Sequence, residues 1–470
     1  MRRQELETLA FEHRALIAPI RSLPNELLSE VFEWSCALSP WDHDFPVSLA
    51  LVCRHWRETA FATPAIWANI TVGHYFQSDS STKCGSAHQA KLWLERSANK
   101  SLVLKFPEPL DIYTELEIPE ELISASVRWE FLHCSLNHQS SSLFRPIQGR
   151  LPILQSLILV TDETVYLTDL DLFETAPRLR EVLLFTPAVD GTLKLPFNQL
   201  TKLSIMRFLP SHECLEYLRL CPNLTVFEAH IEMDQNATSV PKGPHLTHKC
   251  LRVLKLCGRL CYQSFLEWVT VPALQTLDIH DGTSIVAQGG RQVQDIFDMI
   301  SRSACTITTL RCSITSPPAS ILDYMHLFPH LLNLDIALES TYASLLLRNL
   351  TSQGLSPKLE TLDIYLDKPV QLWGHGLFGP MLPDPVVPAS VDSQALITFL
   401  QARCAGTRCL QRVRITDDFC GPFEVICGHP EPPEIQALRD QGLSLLFGSQ
   451  ELINNHINRD TLVQAHTYES

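Results

Sequence analysis

A chain of 470 residues, 45% apolar and 19% charged, can bury a large core but is longer than one ordinary compact domain, so several domains or a repeat array is expected. Its 37 basic and 52 acidic residues give a net charge of −15, which argues against a general nucleic-acid surface. The 15 cysteines would fit a secreted disulfide scaffold only in a short chain with a secretion signal. The start, Met-Arg-Arg-Gln-Glu-Leu-Glu, is no such signal, and Cys221, Cys257 and Cys312 lie in apolar runs as buried thiols do, so a cytoplasmic or nuclear setting is expected.

In chain order, residues 3–18 alternate Leu6, Leu9, Ala10, His13 and Leu16 with charges and read as one amphipathic helix. Three short helices follow within 19–72. Pro24 suits a first helical turn, with Ser22 as its cap, and Leu23, Leu27, Leu28, Val31 and Phe32 recur at the spacing of one helical face. In the second, Leu49, Val52, Trp56 and Ala60 share one side, Leu51 and Cys53 lie off it, and Arg54, Arg57 and Glu58 supply the polar side. Thr63-Pro64 repeats the cap-plus-proline start and leads into Ile66, Trp67 and Ile70. So small a unit cannot bury this many large apolar side chains by itself, and the surplus predicts a docking surface.

The Leu-Pro-x-Glu-Leu-Leu start at Leu23, the Leu-x-Leu-Val-Cys-Arg-x-Trp centre at Leu49 and the Thr-Pro-x-Ile-Trp end at Thr63 resemble an F-box of the style common among fungal F-box proteins. The resemblance implies docking on the Skp-type adaptor of a cullin-RING ubiquitin ligase, with the rest of the chain capturing a protein substrate. It places the adaptor-facing positions at Leu23, Pro24, Leu27, Leu28, Val31, Phe32, Leu51, Val52, Cys53, Trp56 and Trp67. The insert 37–46, with Trp41, departs from the tightest form of the motif and leaves its loop geometry open.

After a linker at 73–87, a pattern Leu-x-x-Leu-x-Leu with conservative replacements returns at Leu154, Leu179, Leu200, Leu224, Leu251, Leu274, Ile307, Leu331, Leu359 and Leu410. Most intervals run from 21 to 28 residues, with one of 33 and one of 51. Pro152, Pro177, Pro222, Pro272, Pro329 and Pro357 stand two places ahead of six copies. Apolar residues two apart predict a short strand in each copy, and helical spacing between copies predicts helices near 213–220, 262–269, 293–300, 321–328, 343–350 and 395–404. Weaker copies are expected at 91–106 and 122–134. The pattern is similar to leucine-rich repeats, so the fold class expected is α/β: a short three-helix F-box followed by an irregular leucine-rich-repeat-like solenoid over 88–450. The Asn or Cys that closes the turn after the strand in that family is missing from nearly every copy, so these turns must close differently. A protruding loop is expected near 367–390, a closing cap at 435–447, and a polar tail at 451–470.

The residue between the two inward ones of each copy points outward: Ile158, Leu183, Ser204, Glu228, Lys255, Asp278, Arg311, Asp335, Asp363 and Arg414. An apolar start followed by charges is a candidate substrate-binding series, set against plain solvation of an exposed sheet. His245, His248, Cys250, Cys257 and Cys261 are the densest set of metal-ligand types, but paired cysteine spacing is only half met and a repeat strand runs through them, so no metal or cofactor is expected. No phosphate loop or Gly-x-Ser-x-Gly elbow occurs, and nothing nominates a catalyst. The leading reading is therefore a non-catalytic substrate receptor of a cullin-RING ligase, with no membrane or nucleic-acid partner. A scaffold bound to the adaptor without ubiquitin transfer is the alternative.

Overall fold

The structure is a computed structural model describing residues 20, 23–38, 44–72, 86–106, 118–136, 140–161, 171–185, 193–231, 245–258, 263–281, 289–313, 325–338, 340–366, 391–404, 409–417 and 431–449. The expected helix at 3–18, the Ser22 cap, most of the 73–87 linker, the 367–390 loop and the 451–470 tail lie outside these residues. The chain forms two compact units, residues 1–197 and 198–470.

The first unit begins with α1 (Asn25–Leu38), α2 (Phe45–Val52) and α3 (Arg54–Phe61), then a 3-10 turn at Pro64–Trp67. The expected second helix is thus two. Cys53 is fully extended (φ −162, ψ 175) and its Sγ accepts the Trp56 amide at 3.5 Å, so the thiol starts a new helix rather than continuing the old one. The break undoes the single face expected for Leu49, Val52, Trp56 and Ala60: Leu49 and Ala60 are buried, while Val52 is exposed.

From the turn the chain runs directly into β1 (Asn69–Thr71), which pairs in parallel with β2 (Leu102–Phe106). The sheet therefore starts inside the segment 19–72, before the expected linker. Strands β3 (Trp129–Leu136), β4 (Ser156–Thr161) and β5 (Glu181–Phe185) add in sequence order, all parallel. Between them lie α4 (Ala87–Arg96), α5 (Glu120–Ser124) and α6 (Ser140–Phe144).

In the second unit the strands are β6 (Lys202–Leu209), β7 (Val226–Ile231), β8 (Leu246–Thr247), β9 (Val253–Gly258), β10 (Val269–Thr270), β11 (Thr276–Asp281), β12 (Thr309–Ser313), β13 (Asn333–Leu338), β14 (Thr361–Leu366), β15 (Arg412–Asp417) and β16 (Ser444–Ser449). All except β8 and β10, which form a separate parallel pair, join one parallel sheet in chain order. Connecting helices are α7 (Ser211–Leu220), α8 (Gln263–Trp268), α9 (Gly289–Ser303), α10 (Ser340–Ser352), α11 (Ser393–Cys404) and α12 (Pro433–Asp440). Parallel neighbours need such crossovers. Near 321–328 the described residues hold only a 3-10 turn, Met325–Leu327. The closing segment is more than a cap, because β16 extends the sheet beside β15.

Every copy of the repeated pattern leads into a strand, and its first residue, from Leu154 to Leu410, is buried. Burial then alternates along β7, β9, β13 and β14. At the strand entrance, the opposite end of each strand from the expected turn asparagine, backbone hydrogen bonds set the register. In the second unit one carbonyl accepts two successive amides of the next copy: Thr225 O from Arg252 and Val253, Arg252 O from Gln275 and Thr276, Gln275 O from Thr308 and Thr309, Thr308 O from Leu332 and Asn333, all at 2.8–3.1 Å. This needs no particular side chain, so the sequence at the entrance can vary while the register holds.

Gly258 closes one such strand against its neighbour. A Cβ placed there would lie 2.3 Å from the Ile231 carbonyl oxygen, backbone that cannot swing away. Gly258→Ala is expected to destabilise the protein by about 1–3 kcal/mol, read as a lowered denaturant midpoint; an unchanged midpoint would mean that β7 and β9 are not so closely apposed.

Candidate functional site

Helix α1 has two apolar stripes. Leu28 and Phe32 are fully buried, Phe32 with its ring 5.0 Å from that of Trp56. Leu27, Val31, Trp34 and Leu38, spaced i, i+4, i+7 and i+11, form a second stripe that stays exposed, Trp34 at 71%. Leu51, Val52 and Phe61 on the neighbouring helices are exposed as well. Apolar side chains of this size in three adjoining short helices make a ledge rather than scattered surface residues.

Of the positions implied to face an adaptor, Pro24, Leu27, Val31, Leu51 and Val52 are exposed, and Leu23, Cys53 and Trp56 are half-buried. Leu28, Phe32 and Trp67 are corrected: none is accessible, and all three form the core beneath the ledge. Trp67 donates its Nε1–H to the Ala60 carbonyl at 2.8 Å and meets Trp93 of α4 edge-on at 5.7 Å. The Arg96 guanidinium lies 4.5 Å over the Phe61 ring and 4.6 Å over Trp67. Thr63 Oγ1 bonds Ser29 Oγ at 3.0 Å and Thr59 Oγ1 bonds Asn25 Oδ1 at 3.5 Å, pinning α3 and the turn to α1. Trp34, Leu38 and Phe61 belong to the exposed set but were missed from sequence, although the spacing 27, 31, 34, 38 carries the signal.

In the first unit the outward series is not open. Lys105, His133, Ile158 and Leu183 stand opposite one another on β2 to β5, yet Lys105 and Ile158 are buried. Burial lowers the Lys105 ammonium to about 8, and burial together with Lys105 lowers His133 to about 4. Ile158 is therefore corrected as a substrate contact, and Leu183 is only half-exposed.

In the second unit Ser204, Glu228, Lys255, Asp278, Arg311, Asp335, Asp363 and Arg414 fall opposite one another across β6, β7, β9 and β11 to β15. The charges pair along this row. Ser204 Oγ donates to Glu228 Oε2 at 3.1 Å, and Lys255 Nζ lies 3.9 Å from the same oxygen. Asp363 accepts from Arg412 Nη2 at 3.1 Å and Arg414 Nε at 3.2 Å. Asp278 meets His280 Nε2 at 2.6 Å and Arg311 Nη1 at 3.7 Å; its side chain is only 6% exposed, so it holds its neighbours in place and is corrected as a direct contact.

The hydrogen bond that His280 donates to Asp278 raises the His280 pKa above its usual 6.5 against the opposing effect of burial. Burial pushes Asp278 up, but the His280 hydrogen bond and the charges of His280, Arg311 and Lys255 outweigh it and hold it below its usual 3.8. The His280 contribution to stability is full below pH 6.5 and lost as pH rises through the folded value. The Asp278 contribution is present above pH 3.8 and lost as pH falls through its folded value. The ion pair is complete between the two folded pKa values.

Of the possible metal ligands, His248 is buried with Nε2 2.9 Å from the Cys221 carbonyl oxygen, and His245 Nε2 lies 3.2 Å from that of Glu267. No metal-holding group of three His, Cys, Asp or Glu occurs among the described residues, nor any helix long and apolar enough to cross a membrane.

Two outcomes follow from this arrangement. Trp67→Ala should cost about 3–5 kcal/mol in denaturant unfolding, while Trp34→Ala stays within about 0.5 kcal/mol of the parent; similar losses would contradict the division into core and ledge. The His280 ring should titrate above 6.5 by NMR, and Asp278→Asn should bring its midpoint to 6.5 or lower.

Comparison with curated proteins finds no match over this chain. Residues 20–72, which contain α1 to α3, the 3-10 turn and β1, match the family model described as F-box-like.

Proposed function

We propose that the chain is the substrate-recognition subunit of an SCF-type cullin-RING ubiquitin ligase, with the F-box-like domain docked on a Skp-type adaptor and the second unit's repeats holding a protein substrate. The observation that carries this reading is the ledge of Leu27, Val31, Trp34, Leu38, Leu51 and Val52, which stays exposed although Leu28, Phe32 and Trp67 already provide a core beneath it. The F-box-like match over the same residues supports a Skp-type adaptor as the partner for this ledge.

Catalysis belongs to the partners in this scheme. The chain contributes proximity, raising the effective concentration of substrate lysines beside the ubiquitin thioester without acid, base or nucleophile of its own. The leucine-rich-repeat-like character of the array and its role in gripping substrate are part of the proposal, supported by the ten buried copy starts and by the register of the outward charges.

Leu27→Asp should abolish capture of a Skp-type adaptor while the thermal transition stays near that of the parent, because Leu27 is exposed and its loss removes an interfacial contact. Adaptor capture unaffected by this change, or absent in the parent chain, would overturn the reading. Capture without transfer of ubiquitin to any bound protein would instead favour the scaffold.

A further inference from the structure

The row in the second unit is not uniformly neutralised. Asp278 has His280 and Arg311, and Asp363 has Arg412 and Arg414, each at hydrogen-bond distance from at least one of its cations. Asp335 lies between these two sets. Arg311 Nε lies 3.9 Å from it, beyond hydrogen-bond reach, the same guanidinium is shared with Asp278 at 3.7 Å, and the charge of His280 acts on it as well. Asp363 stands directly opposite on β14, so two carboxylates face each other; partial desolvation by the surrounding sheet and then the Asp363 charge raise the Asp335 pKa.

The surroundings keep this carboxylate available. The Asp335 and Arg311 side chains are each 49% exposed. On the same face of β13, Asn333 is occupied by bonds with Thr309 (3.1 Å) and Thr361 (2.8 Å), and Ala337 is too short to reach the carboxylate. Anions have less to bind here, because Arg414 of the row and Arg412 beside it are already held by Asp363.

We infer that this part of the sheet receives a basic side chain, lysine or arginine, from the bound protein, with Asp335 as the residue that selects it. The inference rests on the proposed substrate role of the second unit and specifies its chemistry. A cation seated at Asp335 relieves the opposition with Asp363 and completes the alternation of sign along the row: Asp278, Arg311, Asp335, incoming cation, Asp363, Arg414. Such a contact confers selectivity more than affinity and is screened by salt.

The test uses the full-length chain, immobilised, and four synthetic peptide pools with randomised flanks and a fixed central lysine, arginine, glutamine or glutamate. Lysine and arginine pools should be retained about three- to tenfold over glutamine and glutamate pools at low salt, with the preference falling as salt rises. Asp335→Asn should remove the preference and Asp335→Lys should invert it toward glutamate, with circular dichroism and the thermal transition unchanged. Equal retention of all four pools by the parent chain, or a basic preference that survives Asp335→Asn, would overturn the inference. Adaptor capture is measured on the same preparations: its loss in the parent chain sinks the ligase-subunit reading, whereas its persistence beside equal peptide retention sinks only the assignment of Asp335.

Discussion

The first unit depends on the burial of Trp67. Three helices and a turn spanning about 50 residues cannot bury enough apolar surface to be stable by themselves. Trp67 solves this by belonging to two cores at once: its Nε1–H is satisfied by Ala60 on α3, and its ring lies against Trp93 on α4, with Arg96 covering what Phe61 leaves. Two residues later the chain is already a strand of the sheet. With its inner side completed from elsewhere, α1 can leave its outer stripe unburied without losing its fold. The exposed ledge and the stability of the helices are therefore separable, and Leu27 and Phe32, five residues apart on one helix, lie on its exposed and buried sides.

In the second unit the controlling constraint is register. Each strand entrance is fixed by a carbonyl that takes two amides from the following copy, so opposed residues stay opposed from β7 to β15. Side chains alternate faces with a period of two, and a slip by one residue would send every leucine outward. Register of that strictness is what lets Glu228, Lys255, Asp278, Arg311, Asp335, Asp363 and Arg414 form one line rather than a scatter of surface charges. Opposite charges directly across a parallel pair support each other, and the like pair Asp335–Asp363 departs from that rule.

Much of this was legible in the residues. Leu154, Leu179 and the eight later starts announced their strands because burial on one face of a strand demands a strict alternation that hydrophobicity records. Other features left little trace. The break at Cys53 was hidden because no Pro or Gly marks it and helical spacing continues through Leu51, Val52 and Arg54; only the extended backbone and the thiol cap end the helix. β1 is three residues long, too short for any period to show. Lys105 and Ile158 sit at outward positions, and an outward position in a strand reads as exposed; that both are buried is a tertiary fact. Trp34 and Leu38 were readable at helical spacing from Leu27, but the family motif drew attention to Leu28 and Phe32, whose strong pattern reflects the core.

The two surfaces have different physical characters, and this bears on how such a chain could work. An apolar ledge gains affinity from area removed from water, roughly 25 cal/mol per Å², and is not weakened by ionic screening. It suits a partner that stays. A charged row gains little net energy from each exposed pair and loses it to screening beyond about 8 Å at physiological ionic strength, so it suits a partner that is selected and released. In the proposed role, keeping an adaptor while exchanging substrates would need that asymmetry. The division between the ledge on α1 to α3 and the charges on β7 to β15 supplies it within one chain.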